Sequence, residues 1–294
     1  VGKRSGSGSA TRNRALLSTG YYIDLNQPAA QHYLVDPMAG NAASLTPEEK
    51  TRILGGGATM WSEYVTPENV DSGIWPRTAA IAERLWSPQE VRNVDSMYQR
   101  LAVVSQKLQY DGLEHLSSTD IMLQRMSGEA DPAALKVLAA VVQPPEGYAR
   151  EALKNYDTTS PLNRLVDAVS PESETARKFN GLANLIAAGK ATPQQWQEAR
   201  KWLVLWRDND AKLQPLLGQS DITAELIPVS HTLSQVATIG LSALEDLQNH
   251  RVANSGTLRE RLDLLKDAAK PQAVLLNKVV PSAELLVQAT GSHE

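Results

Sequence analysis

GGGATMWSEYVTPENVDSGIWPRTAAIAERLWS, Gly55 to Ser87, follows directly on Ile53-Leu54. It reads as a buried strand, a loop carrying a flat ring and a carboxylate, and a tightly packed helix. The glycines imply a bend or a close backbone approach. Trp61 and Glu63 stand two residues apart, and in an extended strand such residues share a face. Pro76 then opens a helix through Trp86, with Ala79, Ala80, Ala82 and Leu85 on its packing side.

Upstream, Ala15 to Leu25 reads as a second strand, interrupted at Ser18-Thr19-Gly20 and resumed by Tyr21-Tyr22-Ile23. Tyr22 and Asp24 repeat the spacing of an aromatic and an acid two apart. An indole stacks on the apolar face of a pyranose, and a carboxylate accepts hydrogen bonds from two hydroxyls. In a parallel sheet both pairs sit at the carboxyl ends of strands, where ligands bind. Each pair also has a plain structural reading: a core Trp61 with a capping or salt-bridged Glu63, and an amphipathic strand with Asp24 solvated. Between the strands, 26–46 reads as loop, and Thr46-Pro47-Glu48-Glu49 as a short helix start. Asp71, Glu83 and Arg84 are further charged candidates; Glu83 and Arg84 read as ion-pair partners of neighbouring elements, and Arg77 as the partner of Glu83.

Downstream, Pro88 is expected to start a helix bearing Val91, Val94, Met97, Leu101, Val104 and Leu108 at helical spacing and ending near Asp111-Gly112. Beyond Gly112 no strand-like alternation is read. Short helices over 121–125, 132–142 and 175–188 precede longer ones over about 193–217, 222–247, 258–269 and 272–289, a pattern that suggests a bundle. Trp196, Trp202 and Trp206 read either as core or as the lining of a sugar groove. The organisation is an arm over 1–14, a β/α segment over 15–116 and a helical domain over 117–294.

The 294 residues carry a net charge of -4, which leaves no basic face to bind nucleic acid. No run of about 18 apolar residues is present to span a membrane. There is no cysteine, and the five histidines are scattered rather than set at metal-ligand spacing. Neither a metal nor a cofactor is expected. The Gly/Ser-rich basic start, VGKRSGSGSATRNR, reads as a disordered arm or a cloning scar.

Tyr22-Ile23-Asp24-Leu25, Gly55-Gly56, Trp61-Ser62-Glu63-Tyr64, Trp75-Pro76-Arg77 and Ala82-Glu83-Arg84-Leu85-Trp86-Ser87 resemble, in order and spacing, the last part of the glycoside hydrolase family 20 catalytic domain. The resemblance covers 15–110 and implies a β-N-acetylhexosaminidase, which removes terminal β-linked N-acetylglucosamine or N-acetylgalactosamine with retention. It implies a (β/α)8 barrel in which Leu16 to Asp24 carries strand seven and Ile53 to Trp61 strand eight. Family members use substrate-assisted chemistry: the acetamido oxygen of the sugar attacks its own anomeric carbon while a glutamic acid protonates the leaving oxygen. By resemblance, Tyr22 donates to the acetamido oxygen, Asp24 binds the 6-hydroxyl, Trp61 walls the pocket and Glu63 holds the 4-hydroxyl.

The chain departs from that pattern. Nothing in it matches the catalytic Asp-Glu pair or strands one to six, and Gly57 and Gly73 stand where the family commonly has Glu and Arg. The expected architecture is therefore an α/β remnant, the last two β/α units of the barrel, followed by a mainly helical bundle. The implied partners are N-acetylhexosamine-containing glycans, together with a second copy of the chain or a missing amino-terminal half that covers the open sheet edge. Family members act in the periplasm or outside the cell, although no export signal is read here. The alternative is a non-catalytic remnant serving as a helical interaction or sugar-binding module. A third reading, a helical scaffold packed against its first hundred residues, predicts no sugar response at all.

Overall fold

The computed structural model describes residues 13–291, so the expected arm over 1–14 lies almost wholly outside the described residues. Two compact units are found. One runs through Thr119 and takes in Glu146–Tyr148; the other comprises Asp120–Pro145 and the chain from Ala149 onward.

In the first unit β1 (Ala15–Leu17) and β2 (Ile53–Gly56) pair in parallel, Leu16 opposite Gly55 and Leu17 opposite Gly56. Parallel strands need a long crossover. It carries α1 (Ala29–Leu34) and α2 (Pro47–Lys50). The start of α2 follows from its sequence. The Thr46 hydroxyl accepts the Glu49 N–H, the Glu49 carboxylate accepts the Thr46 N–H at 2.8 Å, and Pro47 has no donor to leave unmet. After β2 come α3 (Val70–Ile74), α4 (Arg77–Trp86) and α5 (Val94–Tyr110). α4 is the packing centre. Its Ala80 meets Ala29, Tyr33, Met97 and Leu101, and its Ile81 meets Tyr21 and Ile23.

Both strands are shorter than the alternation suggested. Ile23–Leu25 is a 3-10 turn rather than the end of a strand, and β2 stops at Gly56 instead of running to Trp61. The segment read as loop contains α1 and a 3-10 turn over Gly40–Ser44. The helix expected from Pro88 begins at Val94, where Asn93 caps it with a 2.9 Å bond to the Ser96 N–H. Pro88 and Val91 instead offer their carbonyls to the Arg84 guanidinium.

The second unit is mainly helical, as expected. Its elements include β3 (Val142–Gln143), α6 (Glu174–Ala187), α7 (Pro193–Leu217), α8 (Ile227–Gln248), α9 (Ser255–Ala268), β4 (Leu276–Asn277) and α10 (Val280–Ala289), with shorter helices between them. The antiparallel β3–β4 pair corrects the reading of no strands beyond Gly112. The span 222–247 is broken, because Asp221–Ala224 forms its own turn before α8. The span 272–289 is helical only from Val280. One continuous core joins Phe179, Leu203, Trp206, Leu233, Val236 and Leu286. α7 and α8 approach closely at Gly240, where a Cβ would stand 2.9 Å from Leu203 Cδ2.

A buried ion pair also holds this unit. The Arg150 guanidinium bonds the Asp167 carboxylate at 2.5 Å, with side chains only 4% and 1% exposed, and Asp167 also accepts the Arg164 N–H. Asp167→Ala leaves Arg150 buried without that carboxylate and is expected to cost about 3–5 kcal/mol, read from urea midpoints. In the first unit, a Cβ on Gly56 would lie 2.4 Å from Tyr21 Cε2. Gly56→Ala is expected to cost about 1–3 kcal/mol by overpacking, whereas Gly57→Ala, whose Cβ meets nothing within 4 Å, should leave the midpoint nearly unchanged.

Candidate functional site

The parallel pairing continues past the ends of β1 and β2. Gly57 N–H donates to Leu17 O, Thr59 N–H to Tyr21 O and Ile23 N–H to Thr59 O, each at 3.0 Å. Tyr22 and Thr59 form a parallel bridge. Residues 21–24 and 57–61 therefore run side by side beyond the strand ends.

Tyr21 anchors this extension. Its ring is fully buried against Gly56, its hydroxyl donates to Val35 O at 3.2 Å, and burial pushes that hydroxyl up to about 12. Tyr22 is half-buried. His32 secures the preceding turn. Burial lowers its pKa, so the neutral ring donates from Nδ1 to the Gly20 carbonyl at 2.7 Å, where Gly20 sits at φ 91°.

Asp24 lies in the 3-10 turn, which ends on Asn26 at φ 55°. Its half-buried carboxyl bonds the Glu63 carboxyl and accepts N–H bonds from its own backbone and from Trp61. Its Oδ1 is buried without a hydrogen-bond partner. Burial first, and the Glu63 hydrogen bond second, raise the Asp24 pKa to about 6. A half-buried carboxyl hydrogen-bonded to a second carboxyl is held toward its protonated form.

Trp61 and Glu63 are not neighbours on a strand. Ser62 between them has φ 68°, which turns the chain, and both side chains are exposed, Trp61 to 69%. What brings Glu63 to Asp24 is that turn, not a period of two. The loop is held behind Glu63 by Asn69, whose side chain accepts the Thr66 N–H at 2.8 Å and donates to Tyr64 O at 3.3 Å.

The expected Arg77–Glu83 pair is not formed. Glu83 bonds Arg100 and the Tyr33 hydroxyl instead, an inter-helix pair of the kind expected for it. Arg77, only 2% exposed, donates to the carbonyls of Ile23 (2.7 Å), Gln27 (2.8 Å) and Gly73. It thereby fixes both ends of the turn that carries Asp24. Sequence reasoning missed this role. Trp75-Pro76-Arg77 was visible as a motif, but backbone carbonyls leave no mark in a side-chain pattern. Nothing in the sequence pointed to His32. Asp71 is absorbed elsewhere, accepting the Glu114 N–H at 2.8 Å. Trp202 and Trp206 pack on Phe179, with ring centroids 6.1 Å and 4.8 Å away, as core.

Asp24, Glu63 and the Trp61 backbone thus converge, with Tyr22 on the adjoining segment. A carboxyl pair with one buried unmet acceptor, next to an exposed indole, suits a ligand rich in hydroxyls. Among the described residues no group of three His, Asp or Glu could hold a metal ion, and no helix is long and apolar enough to cross a membrane.

Residues 10–89 match the family model described as Glycosyl hydrolase family 20, catalytic domain. The chain is similar to the beta-hexosaminidase subunit alpha of Bos taurus, 42% identical over 92 residues that make up 30% of this chain and 17% of that protein. It is also similar to the beta-hexosaminidase subunit beta of Homo sapiens, 38% identical over 89 residues, 29% of this chain and 16% of that protein. The X-ray structure of Flavobacterium johnsoniae chitobiase superposes with a TM-score of 0.86 and 31% identity, over 96% of this chain and 42% of that one. The resemblance to family 20 holds, and the chitobiase match extends across the helical unit. The chain spans about a sixth of those hexosaminidases and less than half of the chitobiase.

The raised Asp24 pKa has a measurable consequence. With its folded pKa raised from 3.8 to about 6, Asp24 binds more proton in the folded than in the unfolded chain. Its contribution to stability is full below the unfolded value and is lost as pH rises through about 6. Urea midpoints of the parent and Asp24→Asn, compared at pH 4 and 7, should therefore diverge, the parent losing more as pH rises. In carboxyl NMR titrations Glu63→Gln should move the Asp24 midpoint downward; an unmoved midpoint would disprove the pairing.

Proposed function

We propose that this chain, which resembles glycoside hydrolase family 20, is the carboxyl-terminal part of a β-N-acetylhexosaminidase. On this reading residues 15–116 are the last two β/α units of a (β/α)8 barrel and residues 117–294 a helical domain joined to it. The observation that carries it is the meeting of Asp24 and Glu63 where two parallel segments end, beside an exposed Trp61. Ligand sites of parallel barrels lie at that end of the strands.

In this assignment Trp61 stacks on the apolar face of the terminal N-acetylhexosamine. Asp24 accepts from the 6-hydroxyl and Glu63 from the 4-hydroxyl, so the sugar supplies donors to acceptors that otherwise repel each other. Tyr22 donates to the acetamido oxygen and holds it toward the anomeric carbon. That oxygen then displaces the leaving group, which takes its proton from a glutamic acid outside these 294 residues. Exposed Leu16 (63%) and Leu54 (56%) on the paired strands support a sheet completed by further barrel sequence.

A second reading is favoured for the chain by itself. Without the Asp-Glu pair, it is a sugar-binding module that does not turn over.

Purified chain and Glu63→Gln, each given a nitrophenyl N-acetyl-β-glucosaminide, are expected to release no nitrophenol. Release by the parent that is lost in Glu63→Gln would mean that the chain assembles a working site and would remove the second reading. In calorimetric titration with N-acetylglucosamine, Trp61→Ala is expected to lose about 1–2 kcal/mol and Glu63→Gln about 1.5–3 kcal/mol. Binding untouched by both would overturn the sugar-site assignment.

A further inference from the structure

The helical unit has an open cleft of about 950 Å³, bounded by the carboxyl end of α6, the first turns of α7, the end of α8 and the end of α10. That volume is at the upper end for small-molecule sites, which run to about 1,000 Å³. Its floor is apolar, with Ile186, Leu247 and Leu285. Its wall carries Trp196, half-buried, whose place is fixed by the capped start of α7: Thr192 and Gln195 form a reciprocal pair of hydrogen bonds and Pro193 opens the helix. Its rim carries Gln197, Arg200, Gln248 and Gln288, all exposed. The Arg200 guanidinium donates to Gln248 Oε1 at 3.1 Å, joining two helices across the mouth.

We propose that this cleft is an accessory binding site for a neutral oligosaccharide. Trp196 offers a flat apolar surface of the kind on which the face of a pyranose stacks. Hydroxyls both donate and accept, and side-chain amides do the same, so three glutamines suit a sugar better than a set of single-sign groups would. Among the described residues lining the cleft there is no Asp or Glu, and Arg200 is the one Arg or Lys, which disfavours a cationic ligand. A rim so polar disfavours an acyl chain, whose apolar surface would dehydrate amide groups that now face water. The inference does not rest on the site at Asp24 and Glu63, because none of its residues belongs to that unit.

The test uses the full chain carrying Trp61→Ala and Glu63→Gln, so that the first site is silenced. Chitotriose, cellotriose and dodecanoate are titrated by calorimetry and by indole N–H NMR. The expected result is millimolar binding of at least one trisaccharide with a shift of the Trp196 indole. Arg200→Ala and Gln248→Ala, both exposed, should weaken it at least tenfold, and Ala188→Tyr, which places a ring in the cleft, should abolish it. Trisaccharide binding unaffected by these three variants, no trisaccharide binding at all, or displacement of the trisaccharide by dodecanoate would overturn the proposal. Loss of N-acetylglucosamine binding in Trp61→Ala alone bears only on the other site, so the two readings fail separately.

Discussion

The guanidinium of Arg77 is the constraint on which the candidate site depends. It is buried, and a buried charge is tolerated only when its donors are met. Its two terminal nitrogens are met by carbonyls: Ile23 and Gln27 on the turn that follows the first strand, and Gly73 just before α4. Because a carbonyl cannot move without stranding a buried donor, the turn carrying Asp24 is tied to the helix that packs beneath it. Ile81 of the same helix supports Tyr21 and Ile23 from below. The helix, the turn and the acid are consequently one rigid piece, and a ligand meeting Asp24 meets a preorganised group.

Against that rigidity stands a deliberate electrostatic conflict. Asp24 and Glu63 are brought together by the Ser62 turn and by Trp61, whose N–H steadies the Asp24 carboxylate. Burial first, and the Glu63 hydrogen bond second, raise the Asp24 pKa to about 6, above the usual carboxylate range. On the proposed reading, two hydroxyls of a sugar would donate one to each acid. Asp24 therefore contributes less to folding stability above that pH.

Local chemistry was legible in the sequence and long-range geometry was not. Thr46-Pro47 and Thr192-Pro193 announced helix starts because caps are satisfied within three residues. The spacing of Trp196, Leu203, Trp206 and Leu213 announced a core stripe for the same reason. Strand length was misread at Leu25 and Trp61 because the alternation continues after the ladder has given way to a 3-10 turn and a left-handed Ser62. The helix α1 was missed because its six residues are short of a full amphipathic pattern and are held by Met97 and Leu101, far along the chain. Among site residues, Asp24 and Glu63 were found for a reason that proved wrong in detail: they meet each other, each across from its own presumed partner. Arg77, at a helix start, was assigned to Glu83 in preference to an anion, but six residues is not a spacing at which helix side chains meet, and Glu83 has a bidentate partner in Arg100.

Burial is divided unevenly between the units. The helical one has a single continuous core that runs from Met122 to Val287. The β/α one has two small clusters, centred on Tyr33 and Tyr21, and leaves Leu16 and Leu54 of its paired strands in solvent together with Trp86 and Tyr110. Two strands with apolar side chains facing water cannot bury enough surface to be stable by themselves, and they present hydrogen-bonding edges to any further strand. The candidate site residues thus sit on the unit with less of its own core, and the order at Asp24 comes from specific buried contacts, the Arg77 carbonyl clamp and the Tyr21–Gly56 stack, rather than from bulk burial. The paired strands around it keep hydrogen-bonding edges available to a further strand.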